Sequence, residues 1–209
     1  MVPDLEALVD PAHAAVVTQE LQNGVVGERS ALPELAAASV SCIAAAARLV
    51  AGARRSGVPV VHCVATRRAD GQGSNTNARL FGAMRRSPVS LLPGSDAAGL
   101  VAELGASDDD LVLSRLHGLG PLGGTDLDPV LRNLGVRTII GVGVSVNVGM
   151  TNFVMDAVNL GYQFVLPRDA VAGVPTDYAD AVIDNTLSLL ATVTTVAHVV
   201  DAWEARGER

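Results

Sequence analysis

The chain is expected to be an α/β protein: a three-layer αβα sandwich around a mostly parallel central sheet. Three observations lead there. Short runs of valine, isoleucine and alanine alternate with longer helical stretches along the 209 residues, and right-handed crossovers turn that order into a parallel sheet covered on both faces. The composition is 49% hydrophobic but only 3% aromatic, so the core is one of Val, Ala and Leu, which suits strands buried on both faces. No internal repeat or low-complexity tract breaks the pattern, so residues 1–209 read as a single domain. A chain of this length buries roughly 70% of its unfolded surface.

The elements follow in order. Ala14–Thr18 is a short apolar strand that delivers Gln19, Glu20 and Gln22 at its end, and Gly24 and Gly27 then loosen the chain. The alanine-rich stretch Leu35–Arg55 favours helix, and Gly57 and Pro59 stop it. Val58–Val64 is the second strand. Thr66–Pro93, with its Gly, Ser, Asn and Arg, reads as a long excursion with one short helical turn, fit to wall a site or to make an oligomer contact. Asp110–Leu113 is a third strand, Ser114–Thr125 a loop, and Leu127–Leu134 a helix leading through Gly135 into strand Thr138–Val142. Met150, Val154, Ala157 and Leu160 recur at helical spacing and set a helix over Val148–Leu160. Strand Tyr162–Leu166, helix Tyr178–Leu190, edge strand Ala191–Val193 and helix Val196–Glu204 complete the chain.

Composition narrows the function. A formal charge of −7, from 15 basic and 22 acidic residues, speaks against a nucleic-acid surface. No apolar run is long enough to span a bilayer and the N-terminus lacks signal-peptide order, so no membrane partner and a cytoplasmic location are expected. Cys42 and Cys63 are too few for a disulfide framework or a cysteine zinc site. Four histidines without an HExxH pattern give no metal site. Neither GVGVS nor LGPLGG matches a dinucleotide or phosphate-loop fingerprint, so NAD and ATP are disfavoured and no cofactor is expected.

Sites in parallel sheets form outside the carboxyl ends of the strands. That rule groups Glu20, Arg115 and the turn before Gly149. Glu20 is a general acid or base if enclosed, and otherwise a strand-end carboxylate in solvent. Arg115 presents a permanent planar charge that holds a substrate carboxylate or pairs with Glu20. His117, between Leu116 and Gly118, donates to a substrate, relays a proton, or is a structural loop histidine. Val144, Ser145 and Asn147 turn backbone amides toward a bound anion at the following helix. Gly149 leaves room for close packing or for a substrate atom. Cys63 is a rival nucleophile, but the adjacent His62 points to the opposite face of its strand and cannot simply pair with it.

Three ordered segments resemble the isochorismatase-like cysteine hydrolase superfamily over most of the chain. AVVTQELQNGVVG is similar to its first strand, where Glu20 stands at the position usually taken by aspartate and Gln22 in the following Gln-Asn pair. SRLHGLGPLGGTDLDPVLRNLGVRTIIGVGVSVNVG is similar to its central segment, with Arg115 at the place of the catalytic lysine ahead of T-D-L. GMTNFVMDAVNLGYQFVLPRDAV resembles the helix that usually begins with the catalytic cysteine, and counting back from Asp156 and Gly161 puts Gly149 there.

The resemblance implies a hydrolase without a thiol, like the isochorismatases that also carry glycine at that position. Glu20 would protonate a vinyl ether of a small carboxylated molecule and water would attack. Arg115 would hold a substrate carboxylate or tune Glu20, and Gln22, His117, Val144, Ser145 and Asn147 would line the ligand. The resemblance further implies a cis peptide at Val144–Ser145 and a homo-oligomer, dimer or tetramer. The alternative is a catalytically inactive relative with a small-molecule binding or oligomeric interaction role.

Overall fold

A computed structural model of the chain describes residues 4–105 and 107–207. Its frame is a seven-stranded sheet of β1 (Ala14–Gln19), β2 (Val60–Ala65), β3 (Leu111–Arg115), β4 (Thr138–Val144), β5 (Gln163–Pro167), β6 (Val171–Ala172) and β7 (Thr192–Thr194). The order is β3-β2-β1-β4-β5-β7, with β6 beside the end of β4, and these pairings are parallel. Every residue of β1 and β4 is buried, as two-sided helical cover requires.

The helices are α1 (Leu5–Leu8), α2 (Pro33–Ala38), α3 (Val40–Arg55), α4 (Arg79–Arg86), α5 (Leu127–Asn133), α6 (Thr151–Asn159), α7 (Thr176–Asn185) and α8 (Val196–Gly207). Strand alternation divides the apolar residues between two cores. Val16, Ile140 and Val142 meet Leu49 of α3 and Val199 and Trp203 of α8 on one face. Ala15, Val17 and Ile139 meet Leu131 of α5, Phe153 of α6 and Ile183 of α7 on the other.

The chain lays β2 and β3 on one side of β1 and then crosses to β4 on the other side. The connections that leave the carboxyl ends of β1 and β4 therefore run to opposite sides, and a ligand crevice in such a sheet opens at that switch point.

Several boundaries differ from the sequence reading. The expected helix Leu35–Arg55 is two helices broken at Ser39, whose Oγ donates back to Leu35 O at 2.7 Å. β2 begins only at Val60, because Val58 N closes the end of α3 on Ala53 O (2.9 Å) and Pro59 has no N–H to give. β1 runs one residue further than expected, to Gln19, and β3 ends at Arg115 rather than Leu113. The expected helix Val148–Leu160 starts as a π-helical turn, Val146–Met150, and becomes α only at Thr151. Ser145 O takes Met150 N at 3.0 Å and Val146 O takes Thr151 Oγ1 at 2.6 Å, which widens this first turn. The expected helix Tyr178–Leu190 is α7 followed by a 3₁₀ turn at Leu187–Leu189.

Candidate active site

β1 ends with a sharp change of direction. Glu20 adopts φ 54°, a left-handed conformation uncommon outside glycine, while its N–H still donates to Cys63 O at 2.9 Å. Two residues on, fully buried Gln22 uses its whole amide on backbone. Nε2 donates to Ala65 O (2.9 Å) and Ala98 O (2.8 Å), and Oε1 accepts from Ala65 N (2.8 Å). Gln22 thus clamps the end of β1 to β2 and to the turn at Asp96–Ala98, and fixes the direction in which Glu20 leaves the sheet.

Arg115 closes β3, two strands away, and its length lets it reach across β2. Nη2 donates to Glu20 Oε1 and, at 3.3 Å, to Leu119 O. The pair is largely enclosed: the side chain of Arg115 is 6% exposed and that of Glu20 18%. Arg115 Nε and Nη1 are buried with no partner among the described residues. The adjoining cavity, lined by Cys63, Ser114, Pro121 and Thr125 among others, measures ≈ 10 Å³, about the room one water needs. The pair is therefore open to solvent mainly on the Glu20 side.

β4 supplies the third part. Gly143 sits at φ 119°, and a Cβ there would run into the backbone of Gln19, so the close approach of β1 and β4 at their ends requires glycine. The Val144–Ser145 peptide is cis. Ser145 Oγ donates to Asn147 Oδ1 (2.8 Å) and Asn147 Nδ2 donates to Val174 O (3.1 Å), so both side chains brace the bend. Val144 O accepts from Gln19 Nε2 at 3.0 Å, and Ser145 O takes the amides of Val148 (3.2 Å) and Met150 (3.0 Å). The bend leads into buried Gly149.

The fold thus brings Glu20, Arg115 and Gly149 together. Leu119 O marks the meeting point, 3.3 Å from Arg115 Nη2 and 3.2 Å from where a Cβ at 149 would lie. Val144, Ser145, Asn147 and Gln22 frame the site through bonds made within the protein. His117 is exposed beside Gly124, and no hydrogen bond ties it to the cluster among the described residues.

Cys63 and Cys42 are buried thiols. Burial pushes Cys63 up to about 12, with the Arg115 charge pulling the other way, and pushes Cys42 up to about 12, with Asp169 adding to the rise. Neither is a nucleophile at neutral pH. Among the described residues no group of three or more His, Cys, Asp or Glu side chains gathers as a metal site, and no helix is long and apolar enough to cross a membrane.

Two features escaped the sequence reading. One is Gln19, fully buried at the centre of the cluster; its signal was a polar residue on the strand face that Ala15 and Val17 fill with apolar groups. The other is a buried chain of contacts on the opposite face, Thr18–His62–Asp110–Arg54.

The model of the isochorismatase domain matches residues 14–198. The chain belongs to the isochorismatase family. It is 31% identical over 101 residues to the isochorismatase family protein YecD of Escherichia coli O157:H7, covering 48% of this chain and 53% of that one. It is 36% identical over 78 residues to YwoC of Bacillus subtilis, covering 37% and 41%. The matched stretches thus span about half, or less, of those relatives' lengths.

Solved structures share the fold. A cysteine hydrolase from Pseudomonas syringae superposes with a TM-score of 0.83 at 23% identity, over 95% of each chain. An isochorismatase family protein from Burkholderia thailandensis gives 0.75 at 26%, over 92% of this chain and 96% of that one. An N-carbamoylsarcosine amidase from Thermoplasma acidophilum gives 0.70 at 24%, over 88% and 96%.

Proposed function

We propose that this isochorismatase-family protein is a hydrolase acting on a small carboxylated substrate by acid–base chemistry, without a cysteine nucleophile. One observation carries the reading. Glu20 and Arg115 meet beside a glycine at the switch point of the sheet, and the guanidinium keeps two buried donors, Nε and Nη1, unpartnered. Such donors suit a substrate carboxylate. Its arrival gives Arg115 a second anion and frees Glu20 to take up a proton.

On an enol-pyruvyl ether such as isochorismate, Glu20 gives that proton to the terminal carbon and the ether oxygen shares the resulting positive charge. Water adds to the oxocarbenium carbon and returns a proton to Glu20. The hemiketal then collapses, its hydroxyl proton passing to the departing oxygen, to pyruvate and an alcohol. One water is consumed and no bond to the protein forms.

The test is pyruvate release from isochorismate by the purified protein and by Glu20→Gln. Release by the wild type is expected, with a loss of about 100- to 10,000-fold in the variant. No release from either, or equal release from both, would overturn the proposal.

A second reading is a binding protein without turnover. The closed Glu20–Arg115 pair and the ≈ 10 Å³ cavity beside it favour that reading. Reproducible metabolite binding with no turnover in a broad hydrolase screen would establish it.

Self-association into a dimer or tetramer belongs to the same proposal. It is supported by apolar side chains that no part of the described chain covers. α4 buries none of its residues and exposes Leu80 and Met84, and edge strand β3 exposes Leu111 and Val112. Light scattering is expected to give at least twice the 21.4 kDa chain mass, and Val112→Arg with Met84→Arg to lower it; a monomeric wild type would remove this part.

A further inference from the structure

Position 149 has no side chain, yet the space beside its Cα is filled. A Cβ built there would collide with Gln19 Nε2 and come within 3.2 Å of Leu119 O and 3.3 Å of Val144 O. Gln19 reaches this point from the last position of β1, opposite Gly143 in the parallel register. It is fully buried. Nε2 donates to Val144 O at 3.0 Å, and Oε1 is buried without a partner among the described residues.

A buried polar atom left unpaired is destabilising, because it gives up water without a replacement bond. An aliphatic residue would fill the same place without that penalty, as Ala15 and Val17 do on the same face. Bracing Val144 O accounts for the amide nitrogen; the carboxamide oxygen has no structural task. It lies in the cluster that also holds the acid Glu20 and the carboxylate anchor Arg115.

We propose that Gln19 sets the nucleophile at this site. Its carboxamide occupies the seat of a side chain at 149 and so excludes a thiol, and its free Oε1 orients the water that takes the thiol's place. This deepens the thiol-free hydrolase reading and rests on it. One O–H of the water donates to Oε1, which turns an oxygen lone pair toward the oxocarbenium carbon. The new C–O bond forms from that pair, and the proton lost goes to the Glu20 carboxylate left by the first step. Gln19 gains and loses no proton.

Two measurements test it, one of them independent of turnover. In the pyruvate assay, Gln19→Leu keeps the bulk and removes the acceptor. kcat is expected to fall about 10- to 100-fold with KM within about twofold, since a misplaced reactant affects the chemical step far more than binding. Unchanged kcat in a folded Gln19→Leu would overturn the water-orienting role while leaving the hydrolase reading intact.

The second measurement compares Gly149→Cys with Gln19→Ala/Gly149→Cys. Native protein is alkylated with iodoacetamide and read by peptide mass spectrometry, with buried Cys42 and Cys63 as silent internal controls. The residue-149 thiol is expected to react at least about tenfold faster once Gln19 is shortened, because only then is its seat open. Equal rates in the two variants would overturn the shared seat. A wild type without turnover would count against the hydrolase reading itself, and the alkylation ratio would then decide on Gln19 alone.

Discussion

Glu20→Ala is expected to destabilise the fold by about 3–5 kcal/mol, more than Arg115→Met, because it strands the more deeply buried charge. The side chain of Arg115 is 6% exposed, and without Glu20 its only remaining partner among the described residues is Leu119 O at 3.3 Å. A guanidinium cannot shed its proton to escape that environment. Arg115→Met leaves behind a carboxylate that is 18% exposed and so partly hydrated, and is expected to cost about 1–3 kcal/mol.

The double variant Glu20→Ala/Arg115→Met leaves no stranded charge. It should cost less than the sum of the two single changes, by about 1–3 kcal/mol. Urea unfolding with a constant m-value measures all four proteins. Additivity within about 0.5 kcal/mol would mean that the pair does not form. The same cycle bears on the proposed function: if a carboxylate ligand binds Arg115, it would replace Glu20 as the counter-ion and should restore part of the stability lost in Glu20→Ala.

The parts of this site that sequence disclosed are those fixed by local pattern. Alternating strand and helix segments placed Glu20, Arg115 and the turn before Gly149 at strand ends, and the parallel order then put them on one edge of the sheet. Strand alternation also separated His62 from Cys63, which lie toward opposite cores: His62 bonds Thr18, while Cys63 packs with Ala15 and Val17. What escaped depends on where chain segments meet. Gln19 looked like one more polar residue after a strand, and only the register of Gln19 on Gly143 shows that its amide lies against Gly149. The π-helical turn comes from carbonyls of Ser145 and Val146 that accept one residue further along than an α-helix allows. Arginine at 115 is also less particular to the site than the resemblance suggested. All 15 basic residues of this chain are arginine, so the exchange for lysine follows the whole composition.

The buried chain Thr18–His62–Asp110–Arg54 should make the fold acid-sensitive well above the range of carboxylates. Thr18 Oγ1 lies 2.8 Å from His62 Nδ1, and His62 Nε2 lies 3.1 Å from Asp110 Oδ2. The Asp110 carboxylate can only accept, so Nε2 carries the ring proton and Nδ1 accepts from the Thr18 hydroxyl. Arg54 holds Asp110 from α3 and also donates to Leu104 O (3.1 Å) and Gly105 O (2.9 Å). Burial lowers the pKa of His62 from its ordinary 6.5; the hydrogen bond and charge of Asp110 oppose this, and the charge of Arg54 adds to it. For Asp110 burial raises the pKa, but the hydrogen bonds and charges of Arg54 and His62 outweigh it and hold the group below 3.8. Both shifts act in the same direction. The unfolded chain binds these protons first, so the stability from His62 is complete above about 6.5 and is lost as pH falls through its folded value; that from Asp110 is lost only below 3.8. Between pH 7.5 and 5.5 the wild type is therefore expected to lose up to about 1.4 kcal/mol per pH unit from His62. His62→Gln should cost about 1–3 kcal/mol at pH 7.5, where a buried partner loses its bond, and should remove that component of the slope. Urea midpoints across this range compare the two proteins, and parallel profiles would show that His62 does not titrate in the unfolding reaction.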